Sequence, residues 1–201
     1  MARRADHSKA EFETLVVDAA EDLIAREGID RFSARALSSD IGYTAGSLYH
    51  HFKDLDDIVT RVNSRTLVGL AHAFSDAPPS EDPSAMLHAY ADAFLNYIAL
   101  KRNLWNALFE FRRTETGTVP DWYVEAIASL IRILAISFHQ MRPDLPQGAA
   151  LASSQLVFAS IHAVVSLESS GRLALVMNRD IREVAHDLVD MHVLAFQHRP
   201  A

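Results

Sequence analysis

Apolar residues recur every three or four positions along most of this chain, which is the spacing of one face of an α-helix. The first such stretch begins after a capping-box pattern at Ser8 and Glu11 and stops at Gly28. The 201 residues include only seven glycines and seven prolines, which favours helices joined by short turns over many β-turns. We therefore predict an all-α fold of about nine helices.

Three more helices are predicted before the proline-rich loop at residues 77–83. Ser33 caps a short helix that ends at Gly42, Thr44 caps a second that runs through His51, and Asp54 caps a third. Five further helices follow the loop, over Ser84–Lys101, Leu104–Arg112, Asp121–Met141, Gly148–Arg172 and Arg179–Gln197, with breaks between them that include Leu173 to Asn178.

The composition excludes several classes of site. No cysteine is present, so disulfides, thiolate metal sites and cysteine nucleophiles are ruled out, and a reducing cytoplasm is the expected location. The first residues lack the apolar stretch of a signal peptide. Residues 145–167 carry no formal charge and are long enough to span a bilayer, but polar residues and a proline interrupt them. We expect a buried helix there and no membrane partner.

The segment 32–52 has the pattern of a helix, a tight turn at Gly42 and a second helix. A helix from Thr44 to His51 is roughly 10–12 Å long and fits a major groove about 12 Å wide. Short side chains in its first turn allow close approach to DNA, whereas Leu48 and Phe52 should anchor it to the core. The net charge is −7, and residues 1–65 hold nine Lys/Arg against twelve Asp/Glu. DNA binding therefore depends on where the cations lie, not on an overall basic charge.

The segment Leu15 to Val62 resembles the N-terminal domain of the TetR (tetracycline-repressor) family. The matching residues are Ala19, Ala20, Gly28, Ser33, Arg35, Leu37, Gly42, Thr44, Gly46, Leu48, Tyr49, His51 and Phe52. The resemblance implies a dimeric transcriptional regulator, usually a repressor, that reads a palindromic operator. It implies a helix-turn-helix DNA-binding domain over residues 1–65 and an effector-binding and dimerisation domain over residues 66–201.

The resemblance also implies roles for individual residues. Tyr49 and Lys53 would contact phosphates, and Arg35 would reach the DNA backbone from the preceding helix. The groove would be faced by Thr44, Ala45, Gly46, Ser47 and His50. Leu55 departs from the family, which usually has Lys at that position; Lys53 lies nearby and could substitute.

Several alternatives stay open for this segment. The motif could be a packing motif that never touches DNA, and Tyr49 could be a core aromatic. His51 is expected to be buried and hydrogen-bonded. A metal site at His50 and His51 is not expected, because adjacent residues on a helix point apart.

Aromatic and polar residues in the C-terminal part could line an apolar pocket for an unknown small effector. The candidates are Phe94, Tyr97, Trp105, Phe109, Glu110, Trp122, Ile127, His139, Phe158 and His162. The alternative is that the aromatic members are solid core. Effector binding would shift the fourth helix and change the separation of the two recognition helices.

The last two predicted helices are the candidates for a homodimer interface, in which two pairs would form a four-helix bundle. The candidate residues are Ala152, Leu156, Ala163, Leu167, Ile181, Val184, Leu188 and His192. Burial within one chain is the alternative. His186 and Asp190 share a helix face, and a solvated pair is expected there.

Two other functional classes compete with a regulator. One is a helical ligand-binding or architectural protein without effector control, which a tightly filled interior would favour. The other is an enzyme, although the sequence has no phosphate loop, nucleophile elbow or dinucleotide fingerprint. No catalytic residue, cofactor or metal is predicted.

Overall fold

The structure, a computed structural model, describes residues 8–110 and 121–200, except for the side chains of Phe109, Glu110 and Trp122. Over these ranges the chain forms ten α-helices and no strand. The helices are α1 Lys9–Glu27, α2 Ala34–Ile41, α3 Ala45–Tyr49, α4 Leu55–Ser75, α5 Pro83–Leu100, α6 Arg102–Glu110, α7 Asp121–Met141, α8 Gln147–Ser169, α9 Leu173–Val176 and α10 Ile181–Gln197. A short 3₁₀ turn, Ile29–Arg31, follows α1. The predicted all-α class is confirmed.

The helix starts follow the predicted caps. The Ser8 hydroxyl accepts a hydrogen bond from the Glu11 amide at 3.3 Å, and the Glu11 carboxylate accepts one from the Ser8 amide at 2.8 Å. At the start of α2, the Ser33 hydroxyl accepts a hydrogen bond from the Ala36 amide. Asp54 accepts a hydrogen bond from the Asp57 amide at 2.8 Å. Each cap satisfies an amide that has no partner within its own helix.

Several helix boundaries differ from the prediction by one to three residues, and two differences have a local physical reason. The expected break after α8 contains the short helix α9, which buries Leu173 and therefore has a packing reason to form. Helix α3 ends at Tyr49 and not at His51. The amides of His51 and Phe52 both donate to the Leu48 carbonyl, so the chain closes on one acceptor instead of adding another α-turn.

The described residues fall into two compact units. The N-terminal unit comprises residues 8–66 and 101–110, and the C-terminal unit comprises residues 67–100 and 121–200. Helix α6 groups with the N-terminal unit, and α4 contributes residues to both. The functional division at residues 65 and 66 stays a prediction.

In the N-terminal unit, α1, α2, α3, α4 and α6 surround one apolar core. Its fully buried members are Val16, Ala20, Ile24, Leu37, Leu48, Ile58, Val59, Val62 and Ala107. Asn63 lies among them and donates to the Ala107 carbonyl at 3.5 Å, which joins α4 to α6.

In the C-terminal unit, α5, α7, α8 and α10 pack around a second core. Helix α7 from Tyr123 and helix α8 are long and apolar enough to cross a membrane by length and composition alone. Their apolar faces instead cover this core, through Leu130, Leu134 and Phe138 of α7 and Val157 and Val165 of α8. The helix expected to be buried at residues 145–167 is buried on one face only, since α8 also carries the exposed residues Leu151 and Leu156.

Candidate nucleic-acid interface

The turn between α2 and α3 is fixed by Gly42. This glycine has φ 71°, in the left-handed region, where a side chain would be strained. The Gly42 and Tyr43 amides return to carbonyls of the last turn of α2, with the Tyr43 nitrogen 2.9 Å from the Ser38 oxygen. The turn therefore ends α2 sharply and sets the direction of α3.

Helix α3 is anchored through Leu48 and Phe52. Leu48 is its one buried residue, and Phe52, four positions further on, is buried as well. The guanidinium of Arg61 lies over the face of the Phe52 ring, 4.9 Å from the ring centre. This cation–π contact covers the ring. The sequence-based expectation for these two anchors is confirmed.

The first turn of α3 is held by Thr44. Its hydroxyl accepts a hydrogen bond from the Ser47 amide at 3.3 Å and lies 2.9 Å from the Ser47 hydroxyl. Thr44 and Gly46 are exposed, while Ala45 and Ser47 are half-buried. A Cβ added to Gly46 would approach only the Thr44 hydroxyl, at 3.9 Å, so the surface above this turn is open.

The remaining candidates for DNA contact are exposed. Tyr49 shows 51% of its surface, and Arg35, His50 and Lys53 are exposed as well. The Lys53 ammonium lies 3.9 Å from the Asp54 carboxylate. All eight predicted residues therefore come from one continuous segment from α2 to the start of α4. The role of each in binding DNA stays a prediction.

Many acidic side chains of the N-terminal unit are paired with arginines. Among the arginines between residues 26 and 65, Arg26, Arg31, Arg61 and Arg65 pair with carboxylates. Arg35 forms no ion pair with any residue that the structure describes. Its charge is therefore free to meet a phosphate, although the unit as a whole is not basic.

His51 is positioned by ring packing. Its ring lies 4.6 Å from that of Phe12, which also meets Tyr43 edge-on at 5.0 Å. Its Nδ1 is buried and has no hydrogen-bond partner among the described residues, so the expected hydrogen bond is not found at this atom. These ring contacts join the segments on both sides of α3 to α1.

The structure separates the predicted effector residues into several places. The Phe94 and Phe158 rings meet at 5.6 Å, and the His162 ring stacks on Phe158 at 6.4 Å. The apolar space beside Phe94 and Phe158 measures only about 20 Å³, room for about one water molecule. Burial lowers the pKa of the His162 imidazole, which favours its neutral form. This aromatic cluster is packed core in the conformation described.

The other candidates lie away from that cluster. Trp105 is buried in α6 of the N-terminal unit, and Ile127 is exposed on α7. Tyr97 packs so closely on Gly69 that a Cβ there would lie 2.6 Å from its hydroxyl. His139 lines a groove of about 770 Å³ between α7 and α8. Phe109, Glu110 and Trp122 carry predicted roles, but their side chains lie outside the described residues.

The predicted dimer helices carry unpaired apolar side chains. Leu156 on α8 is 59% exposed, and Met191 and Leu194 on α10 are 65% and 57% exposed. The sequence analysis did not name the two α10 residues, because it took the face that carries Ile181, Val184 and Leu188 as the interface. Of the residues it did name, Val184 is buried within the chain and Ala163 is exposed. The others, Ala152, Leu167, Ile181, Leu188 and His192, are half-buried.

A hydrogen bond joins α8 to α10 beside these apolar residues. The Ser160 hydroxyl donates to the Leu156 carbonyl at 2.8 Å and lies 3.1 Å from Nε2 of His192. Because its proton is already used, Ser160 must accept from a protonated Nε2 of His192. Burial lowers the pKa of His192, which is consistent with a neutral ring bearing that one proton.

A polar network on the other side of α10 was also missed. His186 and Asp190 were expected to face solvent, yet they pair with Asp92 and His88 of α5, each at 2.9 Å. Arg182 also bonds Asp92. Burial alone would raise the pKa of the Asp92 carboxyl, but hydrogen bonds from His186 and Arg182 outweigh it and hold the pKa below its usual value. Spacings of four on both helices were the available sequence signal.

Two family profiles match the sequence. The profile described as bacterial regulatory proteins of the tetR family matches residues 16–62, which contain α2 and α3. The profile described as the tetracyclin repressor-like C-terminal domain matches residues 87–192, more than half of the chain. No curated protein matches the sequence.

Solved structures share the fold over nearly the whole chain. A protein of unknown function from Rhodococcus sp. RHA1 is 21% identical with a TM-score of 0.69, covering 96% of this chain and 98% of its own. A tetR-family transcriptional regulator from Streptomyces coelicolor is 16% identical with a TM-score of 0.62, covering 95% and 83%. Thermus thermophilus FadR, a TetR-family repressor in complex with lauroyl-CoA, is 14% identical with a TM-score of 0.67, covering 94% and 97%.

The profile matches coincide with the two structural features described above. The first covers the capped, outward-facing α3, and the second covers the apolar helices of the C-terminal unit. Regulators of this family are typically DNA-binding proteins without enzymatic activity. The chain belongs to the TetR family and is a helix-turn-helix DNA-binding transcription regulator with a C-terminal ligand-binding domain.

Proposed function

We propose that this regulator is a cytoplasmic repressor that binds a palindromic operator as a homodimer and is released by a small apolar or aromatic effector. The observation that carries the proposal is the geometry of α3. Its one buried residue, Leu48, fixes it to the core, while Thr44, Gly46 and Tyr49 stay exposed. A short helix held by its rear face and open at its first turn is suited to the major groove.

The DNA contacts divide into two classes. Tyr49, Lys53 and Arg35 would hold phosphates, because they are exposed and end in hydrogen-bond donors. Ser47 and His50, with Thr44, would meet base edges, since they lie in or next to the capped turn. Phosphate contacts set affinity for any sequence, and base contacts set preference.

The homodimer is supported by the exposed apolar residues of α8 and α10. Leu156, Met191 and Leu194 are large apolar side chains that water contacts in a single chain. A second copy related by a two-fold axis would cover them and would place two α3 helices on one duplex. This arrangement predicts that the operator has two-fold symmetry.

Effector control would act through α4, which contributes residues to both units. The neighbouring FadR structure contains lauroyl-CoA, which supports a ligand with an apolar part. We propose that ligand binding in the C-terminal unit favours a position of α4 in which the two α3 helices no longer match the operator.

Selection of bound duplexes from random DNA tests this proposal. The full chain should enrich a sequence with two-fold symmetry, and Tyr49→Phe should bind the same sequence more weakly. Val124→Phe, which changes an exposed residue of α7, serves as a control with unchanged binding. Enrichment of an asymmetric site would contradict the homodimer, and no enrichment at all would contradict DNA reading by α3.

One observation favours a second candidate, a DNA-binding protein without effector control. The aromatic cluster around Phe94 and Phe158 leaves only about 20 Å³ of free space, as a ligand-free interior would. The two candidates differ in one measurement. Ligands that bind the protein should change its operator affinity if an effector controls it and should leave the affinity unchanged if none does.

A further inference from the structure

The groove between α7 and α8 in the C-terminal unit has a volume of about 770 Å³. Ligand sites commonly span about 300–1,000 Å³ and are mostly apolar with a few polar groups. Ile133, Ile136 and Leu151 form much of its wall, with alanines between them. The aromatic cluster, by contrast, has room for about one water molecule. Size therefore favours the groove over the cluster.

The charged lining of this groove is positive. Arg132 supplies a positive charge, and none of the ten residues that line the groove is acidic. Arg132 also pairs with Glu125 of its own helix, and both side chains are exposed. A carboxylate entering the groove would share or replace that contact. His139 lines the groove too, and its Nδ1 has no hydrogen-bond partner among the described residues.

The start of α8 forms one end of the groove. Gln147 and Gly148, its first two residues, line the space. Pro146 occupies the capping position and provides no side-chain acceptor for their amides. The positive end of a 23-residue helix therefore faces the groove without a cap. A Cβ built on Gly148 would meet nothing within 4 Å, so a ligand can approach these amides closely.

From this geometry we infer that the groove binds an amphipathic organic acid, with its carboxylate between Arg132 and the start of α8 and its apolar part along Ile133, Ile136 and Leu151. Such an acid would be the effector, and its effect on operator binding rests on the proposed function. The negative charge of the ligand is recognised by the positive charge of Arg132 and the start of α8, and its apolar part by the apolar wall residues.

Calorimetric titration of the full chain with decanoate tests the inference, with 1-decanol and decyltrimethylammonium as the neutral and cationic probes of equal chain length. Decanoate should saturate one site per chain and bind at least about tenfold more tightly than either other probe, since a hydrogen bond to a charged group contributes about 1.5–3 kcal/mol. Equal affinity for decanoate and decanol would overturn the inference.

Two variants locate the site. Arg132→Gln removes the charge, and Gly148→Val fills the open space above the first amides; each should weaken decanoate binding about tenfold or more. Arg172→Gln makes the same charge change at an exposed position beyond the other end of α8 and should bind as the unchanged protein does. Circular dichroism checks that each variant keeps its helices. Wild-type affinity in both groove variants would overturn the inference. If the chain selects an operator but does not bind decanoate, the groove inference is wrong while the proposed DNA binding stands.

Discussion

Leu48 and Tyr49 are neighbours on α3, and replacing each by alanine is expected to affect different properties of the protein. Leu48 is fully buried in the N-terminal core, whereas Tyr49 is 51% exposed. Truncating a buried leucine to alanine costs about 2–5 kcal/mol, of which part is the cavity that remains. Because folded proteins are stable by only about 5–15 kcal/mol, Leu48→Ala should lose a large share of the free energy of unfolding.

Tyr49→Ala removes a ring that is about half covered and leaves no core cavity, so the free energy of unfolding should fall by about 1 kcal/mol, less than in Leu48→Ala. If its hydroxyl donates to a phosphate, losing that hydrogen bond should weaken operator binding by about 1.5–3 kcal/mol, roughly tenfold to a hundredfold. Tyr49→Phe keeps the ring and should show most of the same loss. Unfolding of each variant is followed by circular dichroism in urea, and operator affinity by fluorescence anisotropy of a labelled duplex.

A loss of stability in Tyr49→Ala as large as that in Leu48→Ala would contradict this prediction. That outcome would mean that the tyrosine ring is a packing residue, which was the alternative open from the sequence. Tyr49→Phe binding the operator as tightly as the unchanged protein would also remove the hydroxyl from the interface.

Three further predictions address other parts of the molecule. Lys53→Gln and Arg35→Gln should each weaken binding to all DNA sequences and reduce the slope of log affinity against log salt concentration by about 1. Fluorescence anisotropy over a range of NaCl concentrations measures this slope, and an unchanged slope would argue against a phosphate contact. Met191→Glu should shift sedimentation velocity from dimer to monomer, while Val124→Glu, an equally drastic change on exposed α7, should not. Asp92→Asn should lower stability above about pH 4, because a carboxyl with a depressed pKa stabilises the fold above its unfolded pKa and loses that contribution as pH falls through the folded pKa. Urea unfolding should therefore show a larger difference from the unchanged protein at pH 7 than at pH 3, and an equal difference at both would contradict the ion-pair role of Asp92.

The helix-turn-helix could be predicted closely from the sequence because its signals are local. Capping by Thr44 depends on residues three apart, and the turn depends on the freedom of Gly42 to adopt positive φ. Leu48 and Phe52 lie four apart, so one helical face determines their burial. Each of these relations acts within a few residues along the chain.

The C-terminal unit could be predicted less well because its contacts join distant parts of the chain. Periodicity gave α10 as a helix, but it could not say that one face covers the core while another carries Met191 and Leu194. The pairing of His186 with Asp92 joins residues 94 positions apart. The filled state of the aromatic cluster likewise depends on how five helices pack together. Such outcomes follow from tertiary packing and are not encoded in helical spacing.

Whether the first turn of α3 faces DNA can be measured directly, because the chain contains no cysteine that would compete for a label. In the variant His50→Cys, the new thiol would carry an iron chelate that cuts nearby DNA through hydroxyl radicals. We expect cleavage at two symmetric positions, one in each half of the selected operator. The same chelate in Leu175→Cys, at an exposed residue of α9, should cut without localisation or not at all. If bound operator is not cut from position 50, α3 does not lie against the DNA.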